Sequence, residues 1–156
     1  PTVGARRRPP KDAHYPAQDA FVNLMRAQDR VLSDISAVLG RSGLSEPQYN
    51  VLRILRGAFP EWLPCSAISD RMITRQPDMT RILDRLERAG TISRRRSTED
   101  RRVVLVRIRN KGLSLLADLD SPVLETHEHQ FDCLSGKELL ELNQLLVRVA
   151  DGVKES

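Results

Sequence analysis

The chain has 156 residues, 40% of them hydrophobic, and a formal net charge of +4, which is enough for one cored domain and gives no reason to expect two. It has no run of 18 apolar residues, and its two cysteines lie outside any CxxC motif, so we expect no membrane segment and a reducing, cytoplasmic compartment. GxSxG, HExxH, P-loop and GxGxxG motifs are missing too, which argues against an enzyme, a cofactor or a catalytic metal.

Charge is distributed unevenly along the sequence. Between Arg75 and Lys111 there are 12 basic and five acidic side chains, whereas residues 112 to 156 carry three basic and nine acidic ones. A basic centre beside an acidic tail indicates a surface that faces a polyanion. Residues 1 to 15, with three prolines and the run Arg6 to Arg8, are typical of a flexible basic arm.

Apolar residues at helical spacing predict a long amphipathic helix from about Ala17 to Leu39, ending near Gly40. The helix is longer than a small core needs. We therefore expect part of its apolar face, including Phe21 and Leu24, to contact a partner.

A second helix is predicted to begin after Leu44. Ser45 can cap it, Pro47 is tolerated in its first turn, and Gln48 stands three residues after the cap, as in a capping box. Gly57 and Pro60 are expected to end it.

The next stretch contains the third and fourth helices. Residues 62 to 64 predict a short strand leading into a helix from about Ser66 to Met72. We expect the fourth helix to start at Thr74 or Gln76, since Pro77 fits a helix only in its first turn. Its apolar positions recur at i, i+3, i+4 and i+7 and should face the core: Met79, Ile82, Leu83 and Leu86.

Two β-branched, alternating segments follow Gly90. They run from Thr91 to Arg96 and from Val103 to Ile108, and they predict an antiparallel hairpin with its turn at Ser97 to Arg101. A hairpin this short must pack on the helices to be stable.

Two more helices end the chain. Asn110 is expected to begin the first, and Pro122 to kink or break it. Ser135 and Glu138 predict a capping box for the second, whose apolar face contains Leu139, Leu142, Leu145, Leu146 and Val149. Because a compact middle domain cannot cover the apolar helices at both ends, we expect them to form a dimer interface.

A helix pair followed by a hairpin is the layout of a winged helix-turn-helix, whose second helix enters the DNA major groove. Arg81 could bind guanine through two hydrogen bonds, and Gln76 could read adenine or hold a phosphate. The alternative is a solvated face whose arginines pair with neighbouring carboxylates. The residues predicted to contact DNA from this helix are Arg75, Gln76, Pro77, Asp78, Thr80, Arg81, Asp84 and Arg85.

The hairpin favours the DNA-binding interpretation, because arginines concentrated at one turn repel each other without an anionic partner. Asp100 either orients the Arg102 guanidinium or only screens its charge. An arginine at such a tip fits a narrow minor groove. The residues predicted to contact DNA from this wing are Arg94, Arg95, Arg96, Thr98, Asp100, Arg101 and Arg102.

Five segments, in their order and spacing, resemble the MarR family of bacterial transcriptional regulators. The similarity covers roughly residues 17 to 150, and the order and spacing of the segments make it strong. The segments are Leu44 to Leu55, Asp78 to Gly90, Ile92 to Arg94, Asp100 to Arg102, and Val103 to Gly112.

The resemblance implies a mainly α-helical fold with a small β-hairpin wing, in which residues 16 to 156 form a single domain. Within it we expect a winged-helix DNA-binding lobe at about residues 44 to 111 and dimerisation helices at about 17 to 40 and 112 to 153. A homodimer of this kind binds a pseudo-palindromic operator in duplex DNA, and we expect a repressor released by a small ligand or a stress signal. The alternative is a winged-helix module that binds protein or RNA.

Two departures from the family pattern concern the base of the hairpin. Ile108-Arg109 replaces the usual Leu-Thr pair, so we expect Asn110 to take over the helix cap. Thr91 stands where an apolar residue is usual, which predicts slightly weaker packing under the hairpin.

Few residues are candidates for sensing a redox signal, a metal or a small ligand. We expect Cys65 and Cys133 to be buried or incidental thiols. His127 and His129, two residues apart on a helix, should point in different directions and mark a surface helix end rather than a metal site. The family keeps its effector pocket between the DNA-binding lobe and the dimer helices, and the residues that either line such a pocket or pack in the core are Phe21, Met25, Tyr49 and Trp62.

Overall fold

A computed structural model describes residues 15 to 152. The basic arm expected over residues 1 to 15 therefore lies outside the described residues, except for Tyr15. The elements are α1 (Pro16–Gly40), α2 (Glu46–Ala58), β1 (Leu63–Pro64), α3 (Cys65–Ser69), α4 (Met79–Arg88), β2 (Ile92–Arg96), β3 (Val104–Ile108), α5 (Asn110–Gln130) and α6 (Gly136–Gly152). The mainly helical fold predicted from the sequence is confirmed.

The chain divides into two compact units between Ser33 and Asp34, a boundary that lies within α1. The first unit contributes most of α1. The second holds the hydrophobic core, and the elements that form the candidate site all belong to it.

The sheet has three antiparallel strands in the order β1-β3-β2. The predicted hairpin is present, with Ile92 opposite Ile108 and Arg96 opposite Val104. The short strand predicted at residues 62 to 64 pairs with β3, placing Leu63 opposite Val106. The wing therefore has a third strand at its base.

The core of the second unit lies where α2, α4, α5 and the inner face of the sheet meet. As predicted, Met79, Leu83 and Leu86 of α4 are buried, while Ile82 is partly buried. An ion pair between Arg56 Nη1 and the Asp120 carboxylate, 2.8 Å apart, also ties α2 to α5.

α4 starts later than predicted, at Met79 instead of Thr74 or Gln76. Asp78 is its N-cap, and Asp78 Oδ1 accepts a hydrogen bond of 3.1 Å from Arg81 N. Pro77 therefore precedes the cap. The reason is local, since a residue before proline avoids the helical region, while aspartate is a strong N-cap.

One other helix boundary differs from the prediction, because α3 ends at Ser69, three residues before Met72. α2 ends at Ala58, between the Gly57 and Pro60 that were predicted to end it.

α5 is one helix from Asn110 to Gln130, so of the kink or break predicted at Pro122, the break does not occur. Proline removes one backbone donor, but Leu119 and Val123 on either side of it are buried in the core. Tertiary packing thus holds the helix together. Asn110 is the first helical residue, as predicted, but the cap expected of it was wrong, because Arg109 is the N-cap.

The base of the wing lies very close to α5. A Cβ atom at Gly112 would lie 2.5 Å from Thr91 O and 2.8 Å from Ile108 Cγ1, so a side chain there has no space. Thr91 is buried, and its hydroxyl donates a 2.8 Å hydrogen bond to Leu86 O. Its polar group is therefore satisfied, which offsets the loss of apolar packing expected at this position.

Candidate nucleic-acid interface

The solvent-facing side of α4 is opposite its buried face. Thr80, Arg81 and Arg85 are exposed there, and Asp84 is half-buried. The Asp78 cap stabilises the first turn from which these side chains project. The structure thus brings the predicted helical residues onto one surface.

Three predicted recognition-helix residues lie in the connection before α4: Arg75, Gln76 and Pro77. Gln76 Nε2 donates to Thr74 Oγ1 at 2.9 Å, so its amide is already engaged within the connection. Arg75 and Pro77 are exposed. Contacts from these residues to DNA would come from a loop leading into the helix.

A cleft of about 310 Å³ brings the start of α2 beside the start of α4, and the sequence prediction missed this. Ser45, Pro47 and Gln48 form its α2 side. Gln48 Oε1 accepts a 3.0 Å hydrogen bond from Ser45 N, as the predicted capping box requires. The predicted capping box is the sequence signal that could have located this cleft, because it marks the start of a helix, and the positive end of a helix dipole favours a nearby phosphate.

Arg94 points to α4 and not to the wing surface. Its guanidinium donates to Glu87 Oε2 at 2.9 Å from Nε and 2.6 Å from Nη2, and Nη2 lies 2.7 Å from Asp84 Oδ1. The hydrogen bond with Glu87 raises the pKa of Arg94 above its usual value. Arg94 and Asp84 thus position α4 against β2, and the DNA contact predicted for them stays a prediction.

The wing tip is ordered by its own hydrogen bonds. Ser97 Oγ accepts from Glu99 N at 3.2 Å, and Asp100 Oδ1 accepts from Arg102 N at 2.9 Å. Asp100 Oδ1 also lies 3.7 Å from Arg102 Nε, yet the Arg102 side chain stays 95% exposed. Asp100 thus orients Arg102 mainly through its backbone and leaves the guanidinium accessible.

The other arginines of the wing have different surroundings. Arg96 Nη1 donates to Arg101 O at 2.7 Å, which closes the tip. Arg101 and Thr98 are exposed at that tip. Arg95 lies away from it, with its guanidinium 4.3 Å from the centre of the Trp62 ring.

The residues predicted for a dimer interface lie on α1 and α6. In the first unit, Phe21 is 62% exposed and Leu24 is 38% exposed. In the second, α6 has no buried residue at all. The exposed apolar side chains on its predicted face are Leu139, Leu145, Leu146 and Val149, and Leu142 is half-buried.

Two of the residues considered for an effector pocket have other surroundings. Tyr49 is buried in the core. The indole of Trp62 contacts both Arg95 and Arg107. Phe21 and Met25 are exposed on α1.

The cysteines and histidines form no shared site within the described residues. Burial raises the pKa of the half-buried Cys65 thiol, which disfavours the reactive thiolate, and Cys133 is exposed. His127 and His129 each contact a different side chain at the helix end. No helix between residues 15 and 152 is both long and apolar enough to cross a membrane.

Comparisons with known proteins agree with the winged-helix arrangement of these elements. Residues 44–104 match the model of the MarR family. The HTH-type transcriptional regulator PrsX of Escherichia coli is 33% identical over 111 residues, which is 70% of this chain and 67% of that protein. The regulator FarR of Neisseria gonorrhoeae is 24% identical over 129 residues, 83% of this chain and 87% of that protein.

Solved structures show the same similarity. A MarR transcription factor from Planctomyces limnophilus is 40% identical, with a TM-score of 0.70, over 86% of this chain and 97% of that one. Sco3205 of Streptomyces coelicolor, solved in complex with DNA, is 18% identical, with a TM-score of 0.83, over 96% of this chain and 95% of that one. This chain belongs to the MarR family of winged-helix, DNA-binding transcriptional regulators.

Proposed function

We propose that this chain is a homodimeric repressor that binds a pseudo-palindromic operator in duplex DNA until a small ligand or a stress signal releases it. Residues 44 to 111 would form the DNA-binding lobe, and residues 17 to 40 and 112 to 153 would supply the dimer helices. The observation that carries the proposal is the pairing of an exposed α4 face with the 95% exposed Arg102 at the wing tip. Such a pair suits simultaneous contact with a major groove and the adjoining minor groove.

Dimerisation is supported by the apolar side chains that α1 and α6 leave in water. Contiguous exposed leucines on a helix face are typical of a surface that another chain covers. A palindromic operator then follows, because two-fold symmetry presents two identical reading surfaces to DNA.

Relatives support repression and release. MprA of Escherichia coli, a transcriptional repressor, is 26% identical to this chain over 133 residues. Among proteins of this fold, DNA binding by BpsR of Bordetella bronchiseptica is regulated by 6-hydroxynicotinic acid, and NadR binds 4-hydroxyphenylacetate. We extend to this chain only the general idea that a small ligand changes its DNA affinity.

The test is fluorescence anisotropy of labelled duplex DNA taken from upstream of the chain's own gene, with RNA of equal length as the comparison. Because phosphate contacts release counterions, log affinity should fall with log salt with a slope of about −0.9 per neutralised phosphate. Specific retention of the duplex and not the RNA would support the proposal. Equal binding of both, or binding that is insensitive to salt, would exclude it in favour of a protein- or RNA-binding module.

A further inference from the structure

We propose that the groove at the base of the wing binds a multivalent oxyanion, either a phosphate compound or a polycarboxylate. The groove has a volume of about 700 Å³ and is open to solvent. Gly90, at the end of α4, and Ser93 of β2 form one part of its lining. It is separate from the residues that we assign to DNA contact.

Three cationic side chains line this groove: Arg107, Arg109 and Lys111. No acidic side chain lines it, and within residues 15 to 152 none of the three pairs with a carboxylate. Neighbouring like charges without counter-ions create a positive potential that a multivalent anion would neutralise more fully than a monovalent one.

The backbone and local contacts fix two of the cations. Arg109 N donates to Thr91 O at 2.9 Å, which holds the residue at the junction of β3 and α5. Lys111 Nζ donates to Ala89 O at 2.7 Å, which uses one of its three donors and leaves two for a ligand. The Lys111 side chain and the Arg109 backbone are therefore held beside the groove, and both side chains retain donors for a ligand.

Arg107 is held by Trp62. Its guanidinium lies 4.6 Å from the centre of the indole ring, and the Arg95 guanidinium lies 4.3 Å from the same ring. The ring stabilises both cations, yet they remain close to each other. The two guanidiniums repel each other, and an anion bound beside Arg107 would reduce this repulsion. The contact of both with Trp62 therefore favours anion binding.

One wall of the groove is apolar. Phe59, which is 46% exposed, and Pro60 form it at the end of α2. An organic anion could cover this wall while its charged groups reach the cations opposite. The ligand would then contact α2, the sheet and the start of α5 together.

Trp62 is the only tryptophan of the chain and contacts one of the three cations, so its fluorescence reports on the groove. Pyrophosphate and citrate are titrated into the full chain without DNA at constant ionic strength, with acetate as the monovalent control. We expect a saturable change in emission with pyrophosphate or citrate but not with acetate. The responsive anion distinguishes a phosphate from a carboxylate ligand, and calorimetry gives the affinity independently.

The groove variant is the double substitution Arg109→Gln, Lys111→Gln, which keeps the Arg107–Trp62 contact. Loss of two charged hydrogen bonds should weaken binding at least about tenfold. The matched control, Arg41→Gln with Arg71→Gln, changes the net charge equally at exposed residues outside the groove and should bind like the parent chain. Circular dichroism confirms that each variant is folded.

The proposal is overturned if neither multivalent anion saturates, or if the control loses as much affinity as the groove variant. It is also overturned if the groove variant binds the responsive anion as tightly as the parent chain does. Since the titration contains no DNA, its outcome does not depend on operator binding or on the dimer.

Discussion

The Arg94 guanidinium on β2 donates two hydrogen bonds to one oxygen of Glu87 on α4, at 2.9 Å and 2.6 Å. Arg94 N donates to the other carboxylate oxygen at 3.2 Å, so side chain and backbone of one residue bind both oxygens of the other. α4 carries the outward face assigned to DNA, and β2 leads to the wing tip. This pair therefore fixes the relative placement of the two surfaces that we propose contact DNA.

Arg94→Ala should lower the free energy of unfolding by about 1 to 2 kcal/mol, because Glu87 and Asp84 lose their hydrogen-bond donor in a partly exposed site. Urea denaturation measures the change. Arg81→Ala, on the exposed face of the same helix, is the control and should stay within about 0.5 kcal/mol of the parent chain. Equal midpoints for the two variants would show that the ion pairs do not stabilise the fold.

Gly112→Ala should destabilise the fold by about 1 to 3 kcal/mol, because the new Cβ would overlap Thr91 O and Ile108 Cγ1. This is the net cost that remains after the gain of about 1 kcal/mol that alanine brings to a helix. Gly57→Ala in α2 is the matched control, since a Cβ there has nothing within 4 Å. We expect it to raise the thermal midpoint, and a parallel rise for Gly112→Ala would contradict the close approach of wing and α5.

Arg81→Ala should weaken one operator sequence more than others, by roughly 1 to 3 kcal/mol, if its guanidinium reads a base edge. Anisotropy titrations against a set of single-base operator variants measure this. The variant should discriminate less between the four bases at one position in each half-site of the operator. A uniform loss over all variants would indicate a phosphate contact instead.

Arg102→Ala should lower affinity for every operator variant by a similar factor and reduce the salt slope by about one, as expected for an arginine that neutralises a phosphate or enters a minor groove. Arg41→Ala, exposed after α1, provides the control. If Arg102→Ala and Arg41→Ala give the same salt slope, the wing tip does not contact DNA.

Leu146→Glu should shift the chain from dimer to monomer, because a charge in an apolar interface has no partner to compensate its desolvation. Sedimentation velocity measures the oligomeric state of each variant. Gln144→Glu adds the same charge on the opposite side of α6 and should leave the dimer intact. A dimer that persists in Leu146→Glu at the parent concentration would place the interface elsewhere.

Local patterns in the sequence were sufficient for the order of the elements. Apolar spacing predicted α1, the buried face of α4 and the leucine face of α6, and capping residues located the starts of α2 and α6. These signals involve residues within one or two turns of each other, so no tertiary contact is needed to interpret them.

Contacts between residues that are distant along the chain could not be predicted from these local patterns. The arginine run at residues 94 to 96 predicts one DNA-contacting cluster, yet the side chains separate: Arg94 binds α4, Arg95 stacks on Trp62, and Arg96 closes the wing tip. Alternation along β2 sends neighbouring side chains to opposite faces, and only the packed sheet decides what each face contacts.

The sequence by itself determined a helix pair, a basic hairpin and apolar terminal helices in an order that identifies the family. Only the tertiary structure decided that α5 continues through Pro122 and that Gly112 allows the wing to approach α5. Local propensities differ by about 1 kcal/mol or less for most residues, so packing in the core can override them. The elements follow from the sequence, while the roles of individual arginines follow from what packing places beside them.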